Sequence, residues 1–149
     1  TDKSQDGLYI ISMRGPTLKP TILIVDDHQT FRASLRHWLT GEFPQCSIGE
    51  AASGEEAVAS VRTISPTIVI MDIGLPGING IEATQGIKAI LPAVKVVILT
   101  IHEDQIYQDR AMAAGVSAYI PKRKMRTDLL PTIAMLLAAQ NSAKKEAVL

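Results

Sequence analysis

The 149 residues of the chain suit one domain with one buried core. Its 15 basic and 15 acidic side chains cancel, so no overall field draws it toward nucleic acid or an anionic membrane, and any partner must be selected locally. A single cysteine, Cys46, excludes an internal disulfide framework, the start lacks signal-peptide character, and Lys95 interrupts the longest apolar run, so a cytoplasmic location with no membrane contact is expected.

Residues 1–20 are polar and punctuated by Gly7, Gly15, Pro16 and Pro20, which predicts an N-terminal extension outside the core, either native or left from cloning. From residue 21 onward short apolar runs alternate with segments of helical period. TILIV (21–25) reads as a strand, followed by a helix from about Gln29 to Gly41 with Phe31, Leu35, Trp38 and Leu39 on one face. SIGEA (47–51) is a weaker strand. Ser53, with Glu55 and Glu56 in the first turn after it, has N-cap chemistry, so a helix is expected to run from there and stop before Pro66. TIVIMD (67–72) is a third strand, a helix follows Gly80 to about Ile90, and KVVILT (95–100) is the fourth strand. A helix from near Glu103 stops at Gly115, SAYI (117–120) is the fifth strand, and Met125 to Gln140 forms the last helix, leaving 141–149 as a tail or the start of a linker.

Five strands alternating with five helices, the central strands apolar on both faces, predict an α/β fold: a doubly wound, five-stranded parallel sheet over 21–140 with helices on both faces. In such sheets the ligand site lies beyond the carboxyl ends of the strands. Those ends carry Asp26 and Asp27 after the first strand, Asp72 after the third, Thr100 after the fourth and Lys122 just past the fifth. Two adjacent carboxylates at the end of a buried strand repel each other, which a divalent cation shared with Asp72 would relieve. Mg²⁺ prefers such oxygen donors. A carboxylate can also accept a phosphoryl group when cations neutralise the incoming oxygens, and Lys122 and the Thr100 hydroxyl are placed to contact those oxygens.

Four stretches, ILIVDDH, IVIMDIGLPGINGIEA, VVILT and AGVSAYIPK, resemble in order and spacing the receiver domain of bacterial two-component response regulators, the CheY-like fold. The DDH start and the YIPK form are most similar to receivers of the LuxR/NarL type. The resemblance implies that Asp72 is the phosphoacceptor, supplied by a sensor histidine kinase or a phosphotransfer protein, in a domain that catalyses its own phosphorylation and dephosphorylation without being a turnover enzyme. It implies that Asp27 binds Mg²⁺ directly, that Asp26 acts through metal-bound water, and that the Gly74 backbone carbonyl completes the ligands. Thr100 and Tyr119 resemble a switch pair that reshapes the face formed by the fourth helix, fifth strand and fifth helix. The usual output is transcription regulation through a DNA-binding helix-turn-helix, which the residues after the last helix are too few to form, so no nucleic-acid contact is expected from this domain itself. A homodimer is a further possibility the resemblance carries.

Ordinary structural roles compete at several of these positions. The Asp pair can be a helix cap, Thr100 a plain β-branched strand end, Tyr119 packing, and Arg123, Lys124 and Arg126 a solvated basic surface. His28 and His37 read as surface or helix-start residues, because Mg²⁺ favours oxygen. As a whole the chain also admits a constitutive interaction module that keeps the fold without phosphorylation; a metal-dependent phosphatase lacks its second acid, since Gly74 stands two residues after Asp72. Bulky Ile101 beside Thr100, and Gly74 with no side chain to position water, predict a long-lived phosphoryl group. Pro121 before Lys122 makes Ile120–Pro121 the bond at which a cis peptide is looked for.

Overall fold

Burial of successive side chains along the central apolar runs dictates the architecture, because a strand buried on both faces needs a helical layer on each side. In the computed structural model, which describes residues 19–148, the chain folds as β1 (Thr21–Val25), α1 (Gln29–Glu42), β2 (Ser47–Ala51), α2 (Gly54–Ile64), β3 (Ile68–Met71), α3 (Gly80–Ile90), β4 (Lys95–Thr100), α4 (Gln105–Ala113), β5 (Ala118–Pro121), a 3₁₀ turn (Lys122–Lys124) and α5 (Met125–Val148). The expected N-terminal extension falls, but for its last two residues, outside the described residues.

All strand pairs are parallel and the order is β2-β1-β3-β4-β5, so the winding reverses between β1 and β3. Each strand sends alternate side chains to opposite faces. Leu23, Val25, Val69, Met71, Val96 and Ile98 pack with Ala57 and Val61 of α2, Ile81 and Ile87 of α3 and Ala111 of α4. Ile22, Ile24, Ile68, Ile70, Val97 and Leu99 pack on the other side with Leu35 and Leu39 of α1 and Leu129, Ile133 and Leu136 of α5. Three helices therefore cover one face and two the other, as a doubly wound sheet requires.

Local chemistry sets the helix starts. Ser53 accepts a hydrogen bond from the Glu56 amide at 3.0 Å, as its N-cap position predicts. Asn79 and Glu82 form a reciprocal capping box at the start of α3. Gly80 follows with the least room for a side chain among the described glycines: a Cβ there would overlap the Asp72 carbonyl oxygen and lie 2.8 Å from its carbon and 2.9 Å from Ile73 Cα. This contact seats the strand end that carries Asp72 against the first turn of α3.

Element ends differ from the sequence expectation in a few places. The last helix continues past its expected end at Gln140 to Val148, because that segment holds Ala, Lys and Glu and neither Gly nor Pro. The third strand is shorter than 67–72, the fifth runs 118–121 instead of 117–120, and α4 starts at Gln105, after Asp104, rather than near Glu103. No peptide bond among the described residues is cis, so Ile120–Pro121 is trans.

Candidate functional site

Register brings the strand ends together. Val25 lies opposite Met71, so the next residues, Asp26 and Asp72, emerge side by side at the point where the winding reverses. The backbone ladder extends just far enough to hold them, through Asp72 N–H to the Val25 carbonyl at 3.1 Å and Asp26 N–H to the Ala51 carbonyl at 3.2 Å. Thr100 lies opposite Pro121, which places Lys122 immediately beyond.

Both strand-end carboxylates are sunk in the fold, Asp26 at 2% exposure and Asp72 at 5%. Buried charges require partners, and Lys122 supplies one to both, its Nζ 2.9 Å from Asp26 Oδ2 and 3.5 Å from Asp72 Oδ2. Asp26 Oδ1 accepts from the His28 amide at 2.8 Å and lies 3.2 Å from His28 Nδ1. Gly74 N–H donates to Asp72 Oδ1 at 3.3 Å. Arg32 clamps the strand end from behind, donating from Nη1 to the Asp26 carbonyl at 2.6 Å and from Nε to Glu50 at 2.8 Å. The Arg36 and Arg32 guanidiniums hold the Glu50 carboxyl below its ordinary range.

A helix cap does not account for the aspartate pair: the residue at the cap of α1 is His28, and no side chain caps that helix. Asp27 instead stays at the surface beside the positive end of α1, its Oδ1 3.4 Å from His28 Nδ1. One ligand atom each from Asp26, Asp27, His28 and Asp72 falls within a common 4.8 Å, so this group can hold a metal ion. Three of the four are carboxylates, the donor type a hard divalent cation takes.

Thr100 is fully buried and its Oγ1 accepts from the His102 amide at 3.3 Å. Tyr119 packs against the core on the same side of the sheet and donates its hydroxyl to the His102 carbonyl at 2.7 Å. Burial, followed by the nearby carboxylates of Asp104 and Asp72, pushes the Tyr119 phenol up to about 12. Thr100 and Tyr119 are thus tied to the same residue.

Three residues join the site without a role legible in the sequence. His102 is one: a Cβ on Gly74 would lie 2.7 Å from its Nε2, so the imidazole fills the space that Gly74 leaves open. Phe31 is another, with the Lys122 ammonium 4.2 Å from its ring centroid. The third is His28, for which adjacency to the aspartates is the one signal the sequence carries. Arg123, expected to be merely solvated, forms a two-pronged pair with Glu103 at 2.8 and 2.9 Å on the surface. Ile101 is 71% exposed, so it stands at the rim.

Comparison with known proteins agrees with this geometry. The family model described as "Response regulator receiver domain" matches residues 22–134. The "Transcriptional regulatory protein DegU" of Brevibacillus brevis is 38% identical over 112 residues, 75% of this chain and 47% of that protein. The chain spans about half the length of the curated relatives it matches. Among solved structures, a LuxR-family response regulator from Aurantimonas sp. SI85-9A1 superposes with a TM-score of 0.73 at 33% identity, covering 87% of this chain and 99% of that one. A CheY-like receiver domain protein from Methanospirillum hungatei JF-1 gives 0.78 at 28% identity, covering 85% and 99%. No described helix is long and apolar enough to cross a membrane. The chain belongs to the response regulator receiver domain family of two-component systems.

Proposed function

We propose that Asp72 is the phosphoacceptor of this receiver and that its phosphorylation controls an output. The observation that carries the proposal is the convergence of Asp26, Asp27 and Asp72 from two strand ends on one point, with Lys122 Nζ bridging Asp26 and Asp72. An Asp72 carboxylate oxygen attacks phosphorus, the new O–P bond forms as the bond to the donor nitrogen or oxygen breaks, and the electron pair leaves with the donor. Asp26, Asp27, Asp72 and the Gly74 carbonyl would hold Mg²⁺, Asp27 directly and Asp26 through a bound water. When bound, the ion neutralises charge on the phosphoryl oxygens. Lys122 then gives one oxygen a cationic donor, and Thr100 turns its hydroxyl from the His102 amide toward another.

That movement is the start of the switch. His102 joins Thr100 to Tyr119 through its amide and carbonyl, so a turn of the Thr100 hydroxyl reaches the Tyr119 ring and the surface of α4, β5 and α5. Exposed Ile106 and Met112 on α4 give that region apolar surface for an effector. The shift it produces is limited to the difference in phosphoryl affinity between the two packed states. A sensor histidine kinase or phosphotransfer protein in the cytoplasm would be the donor. DNA-binding output through a further domain accords with the transcriptional regulatory protein DegU of Brevibacillus brevis, of which this chain spans 47%.

Incubation with acetyl phosphate and Mg²⁺, followed by intact-protein mass measurement, tests the proposal. A gain of one phosphoryl group is expected, absent in Asp72→Ala and absent when EDTA replaces the metal. No gain in the unsubstituted protein would leave the constitutive interaction module as the better account.

A further inference from the structure

The Lys122 ammonium has three N–H donors, and two of them are directed at Asp26 Oδ2, 2.9 Å away, and Asp72 Oδ2, 3.5 Å away. On a further side lies the half-buried ring of Phe31, from the first turn of α1, with its centroid 4.2 Å from Nζ. The ring packs against the core that α1 and α5 share, and its other side lines an apolar groove with Leu35, Trp38 and Met125. A half-buried ammonium has lost most of its water and must be held by something. An additional carboxylate at that position would pin the lysine and compete with an incoming phosphoryl oxygen for its protons. An aromatic face attracts the cation through its quadrupole and accepts no conventional hydrogen bond, which leaves the N–H donors available.

We propose that Phe31 is a positioning residue for phosphoryl transfer, holding the Lys122 ammonium by a cation–π contact at the pocket so that its donors meet the phosphoryl oxygens. The inference rests on the role given above to Lys122 and Asp72. It predicts that the electron density of the ring, beyond its shape, sets how well Lys122 works.

Two measurements on the whole chain test it. With lysine labelled at the ε-carbon, the Lys122 ε-methylene protons should resonate upfield in the unphosphorylated protein, under the ring current of Phe31, and return to the ordinary lysine position in Phe31→Leu. An unchanged Lys122 signal in Phe31→Leu would show that the contact does not exist and would overturn the proposal without reference to phosphorylation. The second measurement is the rate of phosphorylation from acetyl phosphate with Mg²⁺ in Phe31→Tyr, Phe31→Trp and Phe31→Leu, and with mono-, di- and trifluorophenylalanine at position 31. Phe31→Leu should slow the reaction about five-fold, Tyr and Trp should restore it to within about two-fold, and the rate should fall stepwise with each added fluorine. A rate indifferent to fluorination overturns the role of Phe31 alone. Failure of the unsubstituted protein to become phosphorylated overturns the Asp72 assignment and the role of Phe31 with it.

Discussion

Replacing Gly80 by alanine should both destabilise the domain and misplace Asp72, the proposed phosphoacceptor. The added Cβ would overlap the Asp72 carbonyl oxygen and sit 2.8 and 2.9 Å from two further backbone atoms, none of which a side-chain rotation can move aside. Relief requires the start of α3 to separate from the β3–α3 loop, which also strains the Gly80 N–H to Ile73 carbonyl bond of 3.0 Å. Overpacking of this kind costs about 1–3 kcal/mol, and a weakened buried hydrogen bond adds about 1 kcal/mol, for roughly 2–4 kcal/mol in all. Helix propensity returns less than about 1 kcal/mol at this first position. Urea unfolding followed by the fluorescence of the single tryptophan, Trp38, should show a lower midpoint with an unchanged slope. Gly41→Ala is the control, since nothing lies within 4 Å of its Cβ position near the end of α1, and it should gain about 0.5–1 kcal/mol. Phosphorylation in Gly80→Ala should fall by roughly 10- to 100-fold, the usual consequence of displacing a reacting group by about 1 Å. A Gly80→Ala loss below about 0.5 kcal/mol, with normal phosphorylation, would refute the close seating of Asp72 on α3.

Further outcomes follow from individual groups. Lys122→Met leaves two buried carboxylates without their cation and should cost about 3 kcal/mol in metal-free buffer, much of it recovered in Lys122→Met with Asp26→Asn, as a urea double-mutant cycle would show. Glu50, held low chiefly by its hydrogen bond from Arg36, contributes stability that is complete above the ordinary carboxylate pKa and lost as pH falls through the lowered one. Acid titration of stability should therefore bring the parent and Glu50→Gln together, and a gap that persists at low pH contradicts the pair. Tyr119 has its phenol raised to about 12, so its contribution is complete below pH ~10 and disappears as pH rises through the folded value. The corresponding late step in phenolate absorbance should vanish in Tyr119→Phe. With His102 filling the space beside Gly74, the phosphoryl group should last minutes or longer and hydrolyse several-fold faster in His102→Ala; a lifetime of seconds in the parent counts against that shielding.

The fold is legible because each strand is an apolar run stopped by a polar residue, and each helix has a periodic face with a recognisable start or stop. The site follows from the same feature: Asp26, Asp72 and Thr100 are the first polar side chains after buried strands, or the strand's own last residue, and parallel register aligns those ends. Phe31 and His102 are not legible in that way. Phe31 reads as one more apolar residue on a helix face, and only the packing of α1 with α5 on the same face of the sheet brings it to Lys122. His102 follows a strand end by two residues, and its contact with Gly74 depends on the path of two separate loops. The end of α5 escapes a sequence reading because a polar, alanine- and lysine-rich segment serves equally as helix or as linker until its context is known.

Calorimetric titration with Mg²⁺ tests the central claim most directly, because the proposed phosphoryl transfer requires the converging carboxylates to hold a divalent cation in addition to the Lys122 ammonium. One binding site is expected for the parent protein, severely weakened in Asp27→Ala and in Asp72→Ala. Absence of binding by the parent, or binding indifferent to both substitutions, would contradict the account.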